Sequence, residues 1–268
     1  MKVSHEVPRC LLTASPEFND YDYCLPHLLD IDEEYKQYFF DAKKAGRYIV
    51  MDNSLHELGK AYNWNRLMHW LHELGPNEFI VPDEWMDYTQ TQVYAKYWKG
   101  IKMPEDCTPV AVVQGKDYND AWKSLRALKE LGYKKIAISY GATWYNDLFI
   151  HENEALGRAL GRLTFISRMI EEGEIDNYDK IHLLGCSVPQ EFGWYRGFKF
   201  IESIDTSNPV MAALEGTMYH PGGLTEKPIA NMNDHFNVKF TDIDYELVIH
   251  NTTLFREING IPKIEHYG

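Results

Sequence analysis

Along most of the chain, short apolar runs alternate with longer amphipathic segments, and the alternation predicts strands and helices in turn. The runs read as strands are Cys10–Ala14 (CLLTA), Arg47–Asp52 (RYIVMD), Phe79–Asp83 (FIVPD), Pro109–Gln114 (PVAVVQ), Lys135–Tyr140 (KIAISY), Ile181–Leu184 (IHLL) and the segment from Phe200 that ends at Asp205. Pro82 has no N–H to give to a ladder, so it belongs at a strand's end. PVAVVQ is apolar without alternation, which suits a parallel strand covered on both faces. Helices are expected around Glu33–Ala45, Trp64–Leu74, Thr89–Trp98, Asp117–Leu131, Glu154–Glu172 and Tyr245–Ile258. Gly46, Gly75 and Gly132 follow three of them as stop signals.

Strands separated mostly by helices are the pattern of a parallel α/β fold, most economically a (β/α)8 barrel forming a single domain over residues 1–268. Seven strands are legible. The eighth is expected somewhere between Met218 and Phe240, a loop-like stretch rich in Gly, Pro and Asn. No internal repeat or linker marks a second domain.

Hydrophobic residues make up 44% and charged residues 25% of the chain, which excludes a mostly disordered polymer. No run approaches the ~20 apolar residues of a membrane span, and MKVSHEVPRC lacks a signal-peptide core, so a cytoplasmic protein is expected. Cys10, Cys24, Cys107 and Cys186 are scattered without C-x-x-C spacing and read as reduced thiols. A formal charge of −13 argues against wholesale wrapping of nucleic acid, so any such contact must be local. Small basic clusters occur at Lys43, Lys44 and Arg47, at Lys134 and Lys135, and at Arg196 with Lys199. Trp85, Trp144, Tyr145, Trp194 and Tyr195 lie just beyond expected strands. They suit a stacking platform for bases, but core packing or a homodimer interface explains each equally well.

The candidate chemistry centres on FIESIDTSNPV, residues 200–210, where a strand delivers Asp205 into a turn and Pro209 opens a helix. A helix cap would explain Asp205 alone. However, polar residues recur at the carboxyl ends of successive strands: Asp52, Asp83 with Glu84, Gln114, Gly185 and Asp205. In a barrel those ends share one mouth. Three carboxylates and an amide there suit displacement at a carbon bearing a good leaving group. They also resemble a metal-binding ring, a reading weakened because His56 and His182 lack ligand spacing.

From about Tyr48 to Pro209 the chain resembles the tRNA-guanine transglycosylases and the relatives that insert 7-deazaguanines into DNA. VMDNSLHELG is similar to that family's D-S-G-G-F/Y-Q loop, IVPDEW to its F-D-E, and AVVQG to its V-V-Q-G. AISYG falls where the family has A-I-G-G-L, HLLGCSVP matches L-M-G-V-G-T-P, and SIDTSNP falls at F-D-C-V-M-P. No single motif is specific; the resemblance rests on six in the same order at similar spacing. The resemblance implies that Asp205 is the nucleophile attacking C1′ of the sugar, with Asp52 the general acid and base. It implies that Asp83 reads the N1 and N2 edge of guanine and Gln114 the O6. His56 and Leu184 would take the places of the residues on either face of the base, beside Gly185.

Three departures from the family pattern bear on specificity. Ser139, Tyr140 and Gly141 replace the Gly-Gly-Leu that lines the space for the 7-substituent, and Asn53 and Leu55 alter the turn after Asp52. The tRNA enzymes also carry a cysteine-rich zinc subdomain beyond the nucleophile, whereas no cysteine follows Cys186. Zinc is therefore not expected, and no other cofactor is implied. The expected partners are guanine, a 7-deazaguanine such as preQ0, and DNA, as in phage relatives, with tRNA the alternative. Hydrolysis or deoxyribosyl transfer on free nucleosides is a rival reading that suits the acidic charge better. A non-catalytic accessory barrel is a third, opposed by the retention of Asp52 and Asp205.

Overall fold

The computed structural model describes residues 1–60, 62–226, 228 and 232–264. Eight parallel strands alternate with helices and form a nearly closed barrel: β1 (Lys2–Ser4), β2 (Asp22–Cys24), β3 (Ile49–Met51), β4 (Glu78–Ile80), β5 (Thr108–Val113), β6 (Lys135–Ser139), β7 (Ile181–Leu184) and β8 (Ile201–Asp205). Hydrogen-bonded neighbours run β1-β8-β7-β6-β5-β4-β3-β2. The ring is joined between β1 and β2 by other means. Asp20 N–H donates to Val3 O at 2.9 Å, and its Oδ2 accepts from Val3 N–H at 2.8 Å. Asn19 exchanges two bonds with the backbone of His5, at 2.7 and 2.9 Å. Buried Arg256, on the closing helix Tyr245–Asn259, donates to Phe18 O and Asp20 Oδ1, both at 3.0 Å, and so pins the seam from outside.

Two expectations about strands change. Cys10–Ala14 lies in a 3₁₀ helix, Arg9–Glu17, that buries Leu11 and Leu12. A short apolar run does not distinguish a strand from a buried helical turn, and Pro16 two residues on does not suit a central strand. The strands the sequence hides are β1 and β2, three residues each and joined by the 3₁₀ helix instead of by an amphipathic α-helix. They complete the eight. Residues 227 and 229–231 of the Met218–Phe240 stretch lie outside the described residues; the described part contains a short helix, Met232–His235, and an isolated bridge between His220 and Gly223.

The helices follow their local signals. Asp32, Asn63, Asp87, Asp117, Asn153 and Asp244 each cap a helix by accepting from a backbone N–H three residues on. The amino-terminal end of the barrel is stopped by a buried ion pair in which Lys135 Nζ donates to both oxygens of Glu78 at 2.9 Å, with Tyr48 O–H donating to Oε1 at 2.7 Å. The carboxyl end is left open. Its wall at β6 and β7 is held by Arg162, fully buried on the Glu154–Glu171 helix. Arg162 pairs with Glu191 at 2.6 Å and donates to Leu184 O and Gly185 O at 3.0 and 2.9 Å.

Candidate active site at the barrel mouth

The open end encloses a cavity of about 530 Å³. Asp52, Asp83, Gln114, Asp205, His56, Leu184, Gly185, Tyr140 and Gly141 all line it. Strand order fixes their arrangement. β4 and β8 stand four places apart in the ring, so Asp83 and Asp205 face each other across the mouth. The same separation holds for β3 and β7, which sets the β3 end, followed by the Leu55–Leu58 helix that carries His56, opposite Leu184. The volume lies within the range of small-molecule sites and exceeds what a base alone requires.

Asp205 ends β8, where Gly185 N–H bonds its carbonyl at 3.1 Å. Its Oδ1 lies 2.9 Å from Nε2 of His182, whose Nδ1 lies 2.8 Å from Ser203 Oγ. His182 is fully buried, and the ring of Tyr23 stacks parallel to it at 6.4 Å. Burial pushes the Asp205 carboxyl up to about 8, with the charge of Asp52 adding to the shift. Burial pushes His182 down to about 3, with Lys135 below it adding to that shift, so the imidazole is neutral. Two proton arrangements fit this chain. With Asp205 protonated, its O–H donates to Nε2 and Nδ1–H donates to Ser203. With Asp205 ionised, Nε2–H donates to the carboxylate and the serine O–H donates to Nδ1. Ionisation of Asp205 thus switches the histidine tautomer without creating a second charge.

Asp52 follows β3 and accepts from Tyr23 O–H at 2.9 Å and from Ser54 N–H at 2.8 Å. Burial raises its pKa despite both bonds. Tyr23 therefore bonds one carboxylate and stacks on the histidine that holds the other. The turn after Asp52 is drawn tight, with Ser54 at a left-handed φ of 56° and its Oγ 2.8 Å from His27 Nδ1. Asn53, one of the family departures, ties the β3 end to the β4 end: Nδ2 donates to Val81 O and Asp83 Oδ1, and Oδ1 accepts from Leu55 N–H.

Asp83 is clasped by two amides, Asn53 on Oδ1 and Gln114 Nε2 on Oδ2, both at 2.6 Å. Burial nonetheless pushes its carboxyl up to about 7, with the two amide bonds opposing that shift. Gln114 is oriented by Met86 N–H, which donates to Oε1 at 2.9 Å. One hydrogen of the Gln114 amide is therefore committed to Asp83. The other is left for a ligand oxygen.

The remaining walls are shaped by two glycines. Gly185 has φ 60°, and a Cβ there would lie 2.4 Å from Cδ1 of Tyr140, so the tyrosine ring rests on bare backbone. A Cβ on Gly141 would lie 2.3 Å from Cη2 of Trp85. Trp85 is the only one of the five aromatics singled out above that lines the cavity; Trp144, Tyr145 and Tyr195 are buried core. The basic clusters are partly spent as well: Arg47 grips Asp22 with two bonds of 2.9 Å, and Lys135 is held by Glu78.

The cavity also holds residues the sequence reading passed over: Glu6, Tyr23, Glu57 and Arg158. Burial and the charges of Glu6 and Asp52 push Glu57 up to about 9. His182 and Ser203 were findable, because a strand's side chains alternate and each lies two residues before a mouth residue on the same face. Tyr23 was not, since β2 was not recognised. Among the described residues no group of three His, Cys, Asp or Glu side chains is arranged to hold a metal ion, and no helix is long and apolar enough to cross a membrane. No protein-family model matches the chain, and no curated protein matches it in sequence.

Proposed function

We propose that the protein is a base-exchanging transglycosylase that replaces guanine in a polynucleotide, DNA in preference to tRNA, with a 7-deazaguanine such as preQ0. The observation that carries the reading is the opposition of Asp83 and Asp205 across one cavity. In a guanine nucleotide the N1–N2 edge and the N9 atom bonded to C1′ are at opposite ends of the purine. A base with its N1–H and N2–H donating to Asp83 and its O6 accepting from Gln114 therefore directs C1′ toward Asp205. His56 and Leu184 would then flank the two faces of the ring, with Trp85 offering a further aromatic surface.

In the reaction an Asp205 oxygen bonds to C1′ as the C1′–N9 bond breaks, and Asp52 gives the departing guanine its proton. The incoming 7-deazaguanine passes its N9 proton to the Asp52 carboxylate as N9 bonds to C1′. The ester oxygen then leaves with its electron pair, restoring the Asp205 carboxylate. Atoms and electrons balance without a redox partner. Raised pKa values serve both roles: Asp52 is kept able to hold a proton, and an ionised Asp205 is a stronger nucleophile than an ordinary carboxylate.

The test is incubation with guanine-containing DNA followed by denaturing electrophoresis. Wild type and Asp52→Asn should give a denaturation-resistant protein–DNA adduct, the variant slowly, and Asp205→Asn none. An adduct formed by Asp205→Asn but not by another carboxylate variant would place the nucleophile elsewhere. A second reading, transfer between free nucleosides, is favoured by the five carboxylates lining the cavity, Glu6, Asp52, Glu57, Asp83 and Asp205. Transfer of labelled guanine into deoxyribonucleoside but not DNA would establish it instead.

A further inference from the structure

Arg158 is the one lysine or arginine among the described residues lining the cavity. It is half-buried, and its Nε is shielded from solvent with no hydrogen-bond partner. Among the described residues it joins no ion pair, although five carboxylates share the same cavity. Its neighbour on the helix behaves differently. Arg162 is fully paired, with Glu191 and with the carbonyls at the end of β7.

An arginine stays charged throughout the physiological range, and leaving a buried guanidinium N–H unpaired is unfavourable. Such a group, facing a cavity, has the chemistry of an anion site awaiting its anion. Its position can be read from the helix. In a barrel the Glu154–Glu171 helix runs back against the strands, so its first turns lie at the mouth. Arg158 precedes Arg162 by four residues on the same face, so it leaves the helix about 6 Å, just over one turn, farther out than Arg162, whose guanidinium bonds Gly185 O. Gly185 in turn bonds the backbone of Asp205. Arg158 therefore stands above the wall that carries the proposed nucleophile.

We infer that Arg158 grips the phosphate of the nucleotide whose C1′ meets Asp205, so that the site takes phosphate-bearing nucleotide units in preference to free nucleosides. The inference rests on the base-exchange reading and narrows its substrate class. A phosphodiester offers paired oxygens to the planar guanidinium fork, and it is attached to the same sugar as C1′. The cavity's size admits sugar and phosphate beside the base. Its acidity is smaller than the carboxylate count suggests: Glu57 and Asp205 hold protons at neutral pH, and Asp83 does so in part.

The experiment reads binding and not turnover. Affinities of 2′-deoxyguanosine and 2′-deoxyguanosine 3′,5′-bisphosphate are measured by titration calorimetry for wild type, Arg158→Gln and Arg158→Lys, with melting curves to show that each is folded. The bisphosphate should bind wild type at least about tenfold more tightly, a margin that Arg158→Gln removes and Arg158→Lys partly keeps, while nucleoside affinity is unchanged. The dependence of log Kd on log salt should also fall by about one phosphate contact in Arg158→Gln. If the nucleoside binds but the phosphates add nothing, or if Arg158→Gln keeps the margin, the inference about Arg158 is wrong while the base-exchange reading stands. If neither compound binds, both fall.

Discussion

Asp205→Asn should make the protein more stable, and increasingly so as the pH rises. A carboxyl whose folded pKa is about 8, against 3.8 unbound by structure, is held by the fold in its protonated form. Its contribution to stability is fully present below the unfolded value and is lost as pH rises through the folded one. The shift of roughly four units corresponds at full expression to about 6 kcal/mol, at 1.36 kcal/mol per unit. Relaxation and water entry reduce such penalties, and about 2–3 kcal/mol is the realistic expectation. Asparagine keeps the shape and can still accept from His182 through Oδ1, but it never has to ionise. For a chain of this size about 2–4 °C accompanies each kcal/mol, so Asp205→Asn should melt roughly 5 °C or more above wild type beyond pH 8. Toward pH 4 the two should converge, since the carboxyl is then uncharged in the fold and only about half ionised in the unfolded chain. The assay is calorimetric melting of both proteins from pH 4 to 9. A melting difference that is constant across the range, or an asparagine variant less stable than wild type at pH 8, would refute the claim that burial strains this carboxylate.

Adduct formation, read as kcat/KM, should rise with pH toward about 8 because Asp205 must ionise to attack, and fall where Asp52 loses the proton it gives to the departing guanine; a profile flat from pH 6 to 9 would contradict this. His182→Phe should leave the fold intact but remove the histidine's bond to Asp205, slowing adduct formation and changing this pH profile while guanine affinity measured by calorimetry is retained. Arg162→Met strands the buried Glu191 carboxylate and should lower stability by about 3–5 kcal/mol, measured by urea unfolding. Gly185→Ala must find room against Tyr140 at a left-handed φ, so it should lower both stability and base affinity, whereas substitution at exposed Gly197, with open space around it, should change neither.

What the sequence made legible follows from how far each signal extends. The strands from β3 to β7 are joined by amphipathic helices with clear caps and stops, and Trp64–Leu74 and Ile181–Leu184 have the same limits in the structure as in the pattern. β1 and β2 escape because a 3₁₀ helix and not an amphipathic α-helix separates them, and their hold on the barrel is tertiary. It depends on Asp20 and Asn19 meeting the β1 backbone and on Arg256, far away in sequence, reaching Phe18 and Asp20. The loss has a consequence at the mouth. Tyr23 on β2 and Glu6 beyond β1 stand on the arc between β8 and β3, which is also the arc between Asp205 and Asp52.

The strand-end rule identifies which residues reach the mouth but not which of them touch. Alternation from Leu184 back to His182 and from Asp205 back to Ser203 puts two more polar side chains on the interior face, yet their pairing depends on register. In the structure Leu184 is level with Asp205 and His182 with Ser203, and that register allows one imidazole to reach both β8 side chains. Shifting β8 by one residue would turn Ser203 and Asp205 outward together. The irregularity between Ile181 and His182 lies at the start of this pairing, so the alignment that joins His182 to Asp205 is set in the two strands themselves and not in the loops above them. Loop exchange at the mouth can therefore change what base or sugar is admitted while leaving the Asp205–His182–Ser203 chain in place.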